Sequence, residues 1–328
     1  MTFPLYQRPG AIVFLDDDLD YLEMLADVMP AHWYVRLMLR PIACIEALIS
    51  ETAALELDRW HQQDIINRWR SGTALIPQIL AYWRNDATAR FSLAKVCVVD
   101  YSMPAMSGLK ALSEVTRWPG SRILLTGRAD EQLAVSAFNS GLIQRFIPKQ
   151  SPDIRLRLTQ AIEGLLQKPD ERLDQTWRGT LSQEQGMLLS DPGITAAIEK
   201  LAADQRWVEY VVIGEPFGIL ALDDMAQAIW LQLEPPDRLA ELAEIAESQH
   251  WNMQAVQDVQ AGTKLIDSEL QLALGTDQKP RLKDAFLIGA GALRLHAAVF
   301  DVSAEFCPQP GDSFRNFIES HSHRTAQH

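Results

Sequence analysis

Short apolar segments alternate with stretches of helical periodicity in the first half of this chain. These segments are rich in β-forming residues and cover 11–15, 35–39, 95–99, 123–125 and 145–147. Strands that alternate with helices form a parallel sheet with helices on both faces. The first half of the chain is therefore predicted to be an α/β domain with a doubly wound, five-stranded parallel sheet.

Polar side chains follow four of these segments where each predicted strand ends. They are Asp16 and Asp17 after the first segment, and then Asp100, Thr126 and Lys149. The carboxyl ends of parallel strands share one edge of a sheet, where polar residues converge on one crevice. We expect these side chains to meet, although they are far apart along the chain.

The five side chains form a chemically complementary set for phosphoryl transfer. A carboxylate at Asp100 can attack phosphorus and form an acyl phosphate. Mg²⁺ prefers oxygen ligands, which Asp16, Asp17 and Asp100 supply, and it would reduce repulsion between the carboxylate and the phosphoryl oxygens. Lys149 is a compact cation for a phosphate oxygen, and the Thr126 hydroxyl can rotate toward another. The sequence therefore predicts a phosphoacceptor site with bound Mg²⁺.

Several motifs in residues 10–167 together resemble the receiver (CheY-like) family of two-component response regulators. They are Ile-Val-Phe-Leu-Asp-Asp at 12–17, Asp-Tyr-Ser-Met-Pro-Ala-Met-Ser-Gly at 100–108, Leu-Leu-Thr-Gly at 124–127 and Phe-Ile-Pro-Lys at 146–149. The resemblance implies that Asp100 is the phosphoacceptor. It also implies that Asp16 and Asp17 are metal ligands, together with the backbone carbonyl of Ser102.

The same resemblance implies a conformational switch. Thr126 would be the switch hydroxyl, Phe146 the aromatic residue that reorients with it, and Lys149 the phosphate-binding cation. A receiver catalyses its own phosphorylation and dephosphorylation, with a sensor histidine kinase or phosphotransfer protein as its partner. Phosphorylation would then control a homodimer.

Two features depart from the family pattern. Gln150 follows Lys149 where the family usually has proline, and Pro148 precedes it. The acidic pair also lies 83 residues before Asp100, because residues 58–92 form a predicted helical insertion. A receiver extended in this way resembles the quorum-sensing response regulators of the LqsR type.

The rest of the chain is predicted to hold a linker or helix at 168–189, an output domain at 190–315 and a disordered tail at 316–328. Segments 208–213, 218–222 and 228–233 have strand character, with a hairpin turn expected at Asp223-Asp224. One or two further strands are expected within 286–300. This order indicates a second small α/β domain, PAS-like among other folds.

The charge of the second half bears on its partner. Residues 170–328 carry 25 acidic and 12 basic side chains, so the net charge of −13 lies entirely there. A domain that neutralises DNA phosphates needs a basic face, so DNA binding is disfavoured and a protein partner is favoured. The alternative is an output domain that binds nucleic acid or a nucleotide directly to control gene expression. No signature of an enzymatic output domain is recognised.

Composition indicates a cytoplasmic protein. Cys44, Cys97 and Cys307 are odd in number and widely spaced, which suits a reducing compartment better than a disulfide framework. No segment approaches the roughly 20 apolar residues that span a bilayer, and the first ten residues lack the apolar stretch of a signal peptide.

Overall fold

The computed structural model describes residues 3–85, 87–104, 106–127, 131–291 and 293–321. The strands are, in chain order, β1 (Tyr6–Gln7), β2 (Ala11–Leu15), β3 (Val35–Met38), β4 (Ala94–Asp100), β5 (Ser121–Thr126), β6 (Arg145–Pro148), β7 (Trp207–Ile213), β8 (Gly218–Asp223), β9 (Ala228–Glu234), β10 (Lys264–Ile266), β11 (Leu282–Asp284), β12 (Phe286–Ala290) and β13 (Leu293–Asp301).

The helices are, in chain order, α1 (Leu19–Asp27), α2 (Pro41–Arg70), α3 (Leu75–Arg84), α4 (Ala87–Ser92), α5 (Gly108–Glu114), α6 (Glu131–Asn139), α7 (Ile154–Leu166), α8 (Glu171–Arg178), α9 (Gln183–Leu188), α10 (Pro192–Asp204), α11 (Leu239–Ser248), α12 (Met253–Gln260), α13 (Ser268–Leu274) and α14 (Phe314–His321).

These elements form two compact units. The first, here called the parallel unit, comprises Pro9–Trp60, Thr88–Lys168 and Arg315–His328. The second, here called the antiparallel unit, comprises Met1–Arg8, His61–Ala87 and Pro169–Phe314. Each unit is therefore assembled from three separate segments of the chain.

The parallel unit contains the predicted parallel sheet, with five strands in the order β3-β2-β4-β5-β6. Alternate residues of β4 enter different cores: Cys97 and Val99 belong to one hydrophobic cluster, and Val96 and Val98 to another. A strand buried on both faces reads as a continuous apolar run. The predicted doubly wound α/β fold is confirmed.

The antiparallel unit contains a six-stranded sheet in the order β1-β7-β8-β9-β13-β12. All its strand pairs are antiparallel. The predicted hairpin turn joins β8 to β9, and the Asp223 carboxylate accepts hydrogen bonds from the backbone N–H groups of Met225 and Gln227, both at 2.8 Å. The late strands form the β12–β13 hairpin.

Most of the predicted helical insertion does not pack in the parallel unit, where it was expected. Residues 61–87 pack in the antiparallel unit, because Ile65, Ile76 and Trp83 are buried in the core of that unit. Residues 168–189, predicted as a linker or helix, form α8 and α9, and Trp177 of α8 is fully buried in the same core. An amphipathic pattern shows that a face must be buried without showing against what.

The long helix α2 has 30 residues, enough to cross a bilayer by length alone. However, it carries charged side chains in most of its turns, including Glu46, Glu51, Glu56 and Arg59. Across the described ranges, no helix combines the length and apolar character of a membrane span.

The expected disordered tail is wrong for residues 316–321, which belong to helix α14. The Phe317 side chain is 5% exposed, and its ring centroid lies 4.8 Å from that of Tyr34 and 5.6 Å from that of Phe91. These aromatic contacts offset the entropy cost of ordering the segment. Residues 322–328 lie outside the described residues.

Phe317→Ala should lower the free energy of unfolding of the parallel unit by about 3 kcal/mol, as for other buried phenylalanines. Urea unfolding followed by circular dichroism measures this change. Phe138→Ala is the matched control because Phe138 is 44% exposed, and it should cost less than about 1 kcal/mol. Equal losses in the two variants would show that α14 does not stabilise the unit.

Candidate functional site

The polar residues after the parallel strands lie at one edge of the sheet. Register pairs Leu15 with Val99 and Asp100 with Leu125, and Thr126 with Pro148. Asp16, Asp17 and Lys149 therefore leave their strands at the same level as Asp100 and Thr126. This convergence is what the sequence pattern predicts.

Three carboxylates form the acidic part of the site. One carboxylate oxygen from each of Asp16, Asp17 and Asp100 lies within 4.8 Å of the others. Asp16 and Asp100 are 2% and 4% exposed, whereas Asp17 is exposed. Three oxygens at such spacing, open to solvent on one side, suit an octahedral cation that keeps several waters, as Mg²⁺ does.

Lys149 is the cationic part of the site. Its Nζ atom lies 2.7 Å from Asp16 Oδ2 and 2.9 Å from Asp100 Oδ1. Burial disfavours the charged ammonium, but its hydrogen bonds with the two carboxylates outweigh burial and raise the pKa of Lys149. Lys149 therefore stays protonated. Gln150, which follows it where the family usually has proline, does not prevent Lys149 from reaching the site.

The pKa of Asp16 is set by the same surroundings, but burial dominates it. Burial raises the pKa of Asp16, although the hydrogen bond from Lys149 opposes that rise. The Asp18 backbone N–H also donates to Asp16 Oδ1, at 3.1 Å. A single ammonium shared by two buried carboxylates thus leaves room for further positive charge, which a divalent cation would supply.

Thr126 and Phe146 lie close to this edge. The Thr126 side chain is fully buried, and its hydroxyl has no hydrogen-bond partner among the described residues. The ring of Phe146 makes an edge contact with Phe138 on α6, with centroids 6.4 Å apart. Ser102 is exposed in the loop after β4, and a metal-binding role for its carbonyl stays a prediction.

Tyr21 is a site residue that the sequence reasoning missed. Lys149 Nζ lies 4.5 Å from the centroid of the Tyr21 ring, a cation–π geometry. Burial raises the pKa of Tyr21 to about 12, so its hydroxyl stays protonated. The helical spacing places Tyr21 on the apolar face of α1, but only the fold reveals the lysine beside it.

Gly108 ends the motif at 100–108, and a larger residue is sterically disfavoured at this position. A Cβ atom at Gly108 would lie 2.1 Å from the carbonyl oxygen of Asp100. The Gly108 N–H donates to the Tyr101 carbonyl at 2.9 Å, and the Ser107 hydroxyl accepts from the Lys110 N–H to cap α5. The start of α5 thus packs directly against the backbone of Asp100.

Comparisons with known proteins agree with this architecture. The response regulator LqsR of Legionella pneumophila matches with a TM-score of 0.68 and 23% sequence identity, over 97% of each chain. No protein-family model and no curated protein sequence matches this chain.

Smaller receiver structures match about half of the chain. A CheY-like receiver from Methanospirillum hungatei covers 51% of this chain and 98% of its own, at 18% identity and a TM-score of 0.30. The receiver of an HD-domain protein from Pseudomonas fluorescens covers 52% and 94%, at 18% identity and a TM-score of 0.33.

The parallel sheet with its acidic edge and lysine defines a receiver fold. The match to LqsR extends the shared fold over nearly the whole chain. The predicted resemblance to a response regulator of the LqsR type is therefore confirmed at the level of the fold.

Gly108→Ala should lower the free energy of unfolding by about 1–3 kcal/mol, because the added methyl group must displace the Asp100 backbone or α5. Gly164→Ala in α7 is the control: a Cβ there meets nothing within 4 Å, and it should stabilise by about 0.5–1 kcal/mol. Urea unfolding of both variants measures whether the free energy of unfolding falls in Gly108→Ala and rises in Gly164→Ala. A neutral Gly108→Ala would contradict the close approach.

Proposed function

We propose that the chain is a phosphorelay response regulator in which Asp100 accepts a phosphoryl group from the phosphohistidine of a sensor kinase or phosphotransfer protein. The observation that carries the proposal is the position of Lys149 Nζ, within 2.9 Å of both Asp16 and Asp100. These groups adjoin a third carboxylate at Asp17.

In the proposed reaction, an Asp100 carboxylate oxygen attacks the phosphorus atom. The new P–O bond forms as the P–N bond to the donor imidazole breaks, and the imidazole nitrogen keeps the electron pair and takes a proton. Asp16, Asp17 and Asp100 would hold Mg²⁺, whose charge offsets that of the phosphoryl oxygens. Thr126, whose hydroxyl has no hydrogen-bond partner in the described part of the chain, offers that hydroxyl to one of those oxygens.

Lys149 has two roles in this proposal. Before transfer it offsets part of the negative charge on the buried carboxylates of Asp16 and Asp100. After transfer the negative charge moves outward onto the phosphoryl oxygens, and the ammonium follows it at the end of a flexible side chain. Its position over the Tyr21 ring limits where it can move.

Acetyl phosphate with Mg²⁺ should add one phosphoryl mass to the wild-type protein, measured by intact-mass spectrometry. Asp100→Asn should remain unmodified because its amide is not a nucleophile, and chelation of Mg²⁺ by EDTA should prevent modification of the wild type. Asp20→Asn is the matched control, since Asp20 is an exposed acid on α1, and it should be modified normally. Modification of Asp100→Asn to the wild-type level would refute the assignment.

The proposal extends to a switch in self-association. Phe146 contacts Phe138, and Phe138 lies on α6 with Leu133 and Val135, all three between 44% and 49% exposed. When Thr126 turns toward the phosphoryl group, Phe146 can move inward and change the surface of α6. A surface that changes between two packed states can favour a dimer in only one of them.

Beryllofluoride with Mg²⁺ should convert the wild-type protein from monomer to dimer in size-exclusion chromatography with light scattering. Phe138→Glu should remain monomeric, because it places a charge in the apolar α6 surface. Met24→Glu is the control, since Met24 on α1 is 47% exposed, and it should dimerise as the wild type does. An unchanged wild-type mass would contradict the dimer switch, and equal loss in both variants would contradict the α6 surface.

The acidic charge of residues 170–328 supports a protein partner for the antiparallel unit over nucleic acid, because phosphates would be repelled. A cytoplasmic location and a role in quorum sensing stay predictions from the sequence.

A further inference from the structure

The ammonium of Lys149 is contacted from three sides in the parallel unit, by two carboxylates and one aromatic ring. Its Nζ atom lies 2.7 Å from Asp16 Oδ2 and 2.9 Å from Asp100 Oδ1. The third contact is the ring of Tyr21, whose centroid lies 4.5 Å from the same nitrogen. An aromatic face attracts an ammonium at this distance, so the ring helps to determine where the positive charge lies.

The Tyr21 ring is itself fixed by the chain around it. The Asp18 backbone N–H donates to Asp16 Oδ1 at 3.1 Å, and the Asp18 carboxylate accepts from the Tyr21 backbone N–H at 3.1 Å. The ring packs against the apolar core that includes Leu22 and Ile147. Asp16 and Tyr21 both contact the ammonium and are linked through Asp18, so the ring has a defined position beside the charge.

The position of the ammonium matters because a metal cation needs the same carboxylates. Asp16, Asp17 and Asp100 each bring an oxygen to the candidate cation site. Within the described ranges, Lys149 pairs with the first and third of these acids and has no ion pair with Asp17. A lysine side chain is long and flexible. Without a support, its ammonium would move among all three carboxylates and repel an incoming divalent cation.

We propose that Tyr21 is a positioning residue, which holds the Lys149 ammonium to one side of the carboxylates and leaves the side of Asp17 open to Mg²⁺. The role rests on the proposed function, because it concerns the same metal and phosphoacceptor site. Tyr21 acts through Lys149 and is not itself a metal ligand. Loss of the ring would let the ammonium spread toward the cation position, and Mg²⁺ would then bind less tightly.

Two substitutions of Tyr21 separate its ring from the bulk of its side chain. The Tyr21 hydroxyl is buried and has no hydrogen-bond partner among the described residues, so Tyr21→Phe breaks no hydrogen bond that the structure describes. Phenylalanine also keeps an aromatic face for the ammonium, whereas leucine keeps apolar bulk without that face. A positioning role therefore predicts that Tyr21→Phe retains the function of the ring and that Tyr21→Leu loses it.

Titration of the full chain with Mg²⁺, in the absence of any phosphoryl donor, measures the effect on the metal directly. Binding is followed by the NMR shifts of the backbone amides of residues 16–18. Tyr21→Leu should raise the Kd for Mg²⁺ about fivefold, and Tyr21→Phe should stay within about twofold of the wild type. Met24→Leu is the control on α1, since Met24 is 47% exposed, and it should bind Mg²⁺ as the wild type does. Equal Kd values for the wild type and Tyr21→Leu would overturn the proposal.

A double-mutant cycle with Lys149 separates positioning from a loosened fold. Lys149→Met removes the ammonium and keeps an unbranched side chain. In that background Tyr21→Leu should change the Kd for Mg²⁺ by less than about 1.5-fold, because the group through which Tyr21 acts is gone. If Tyr21→Leu weakens Mg²⁺ binding equally in both backgrounds, Tyr21 supports only the fold and the proposal fails.

Labelling with acetyl phosphate is a separate measurement and separates the two proposals. A wild-type protein that takes up no phosphoryl group, but whose Kd for Mg²⁺ depends on Tyr21 as expected, would refute the proposed function and leave the positioning role standing. Normal phosphorylation with a Kd that does not depend on Tyr21 would refute the positioning role alone. Absence of saturable Mg²⁺ binding by the wild type would also overturn the positioning role.

Discussion

The shared ion pair of Lys149 with Asp16 and Asp100 is the interaction on which the site of the parallel unit depends. Two buried carboxylates at close range repel each other and would take up protons. The ammonium that leaves β6 offsets this repulsion and connects the loop after β6 to the ends of β2 and β4. The ion pairs form because the strand ends lie together. The strand ends can hold two carboxylates at close range because the ammonium offsets the repulsion between them.

Much of this site could be predicted because strand direction is encoded locally. An apolar run that ends in an acid, a hydroxyl or a lysine places that residue at the sheet edge, as Asp100 and Lys149 show. Tyr21 could not be found in this way. Its apolar spacing indicates which face of α1 it occupies, whereas its position beneath Lys149 depends on how α1 packs against distant residues.

The assignment of helices and strands to the two units was less predictable than the helices and strands themselves. Strands β7, β8 and β9 have clear patterns, but β1 pairs with β7 across some 200 residues of chain. Helix α3 has an apolar face whose partner the sequence does not indicate, and that face is buried in the antiparallel unit. Hydrophobic periodicity predicts that one face of a helix is buried. Which hydrophobic core buries that face depends on how the whole chain folds.

The two units solve the problem of clustered carboxylates by different means. In the parallel unit Lys149 compensates part of the charge of Asp16 and Asp100, and Asp17 completes a set of three oxygens that could hold a divalent cation. In the antiparallel unit burial raises the pKa of Glu234 to about 8, and the Arg238 guanidinium is shared between Glu241 and Glu269. In the proposed reaction the first arrangement would receive a cation together with a phosphoryl group, and the opposite charges of the two would offset each other.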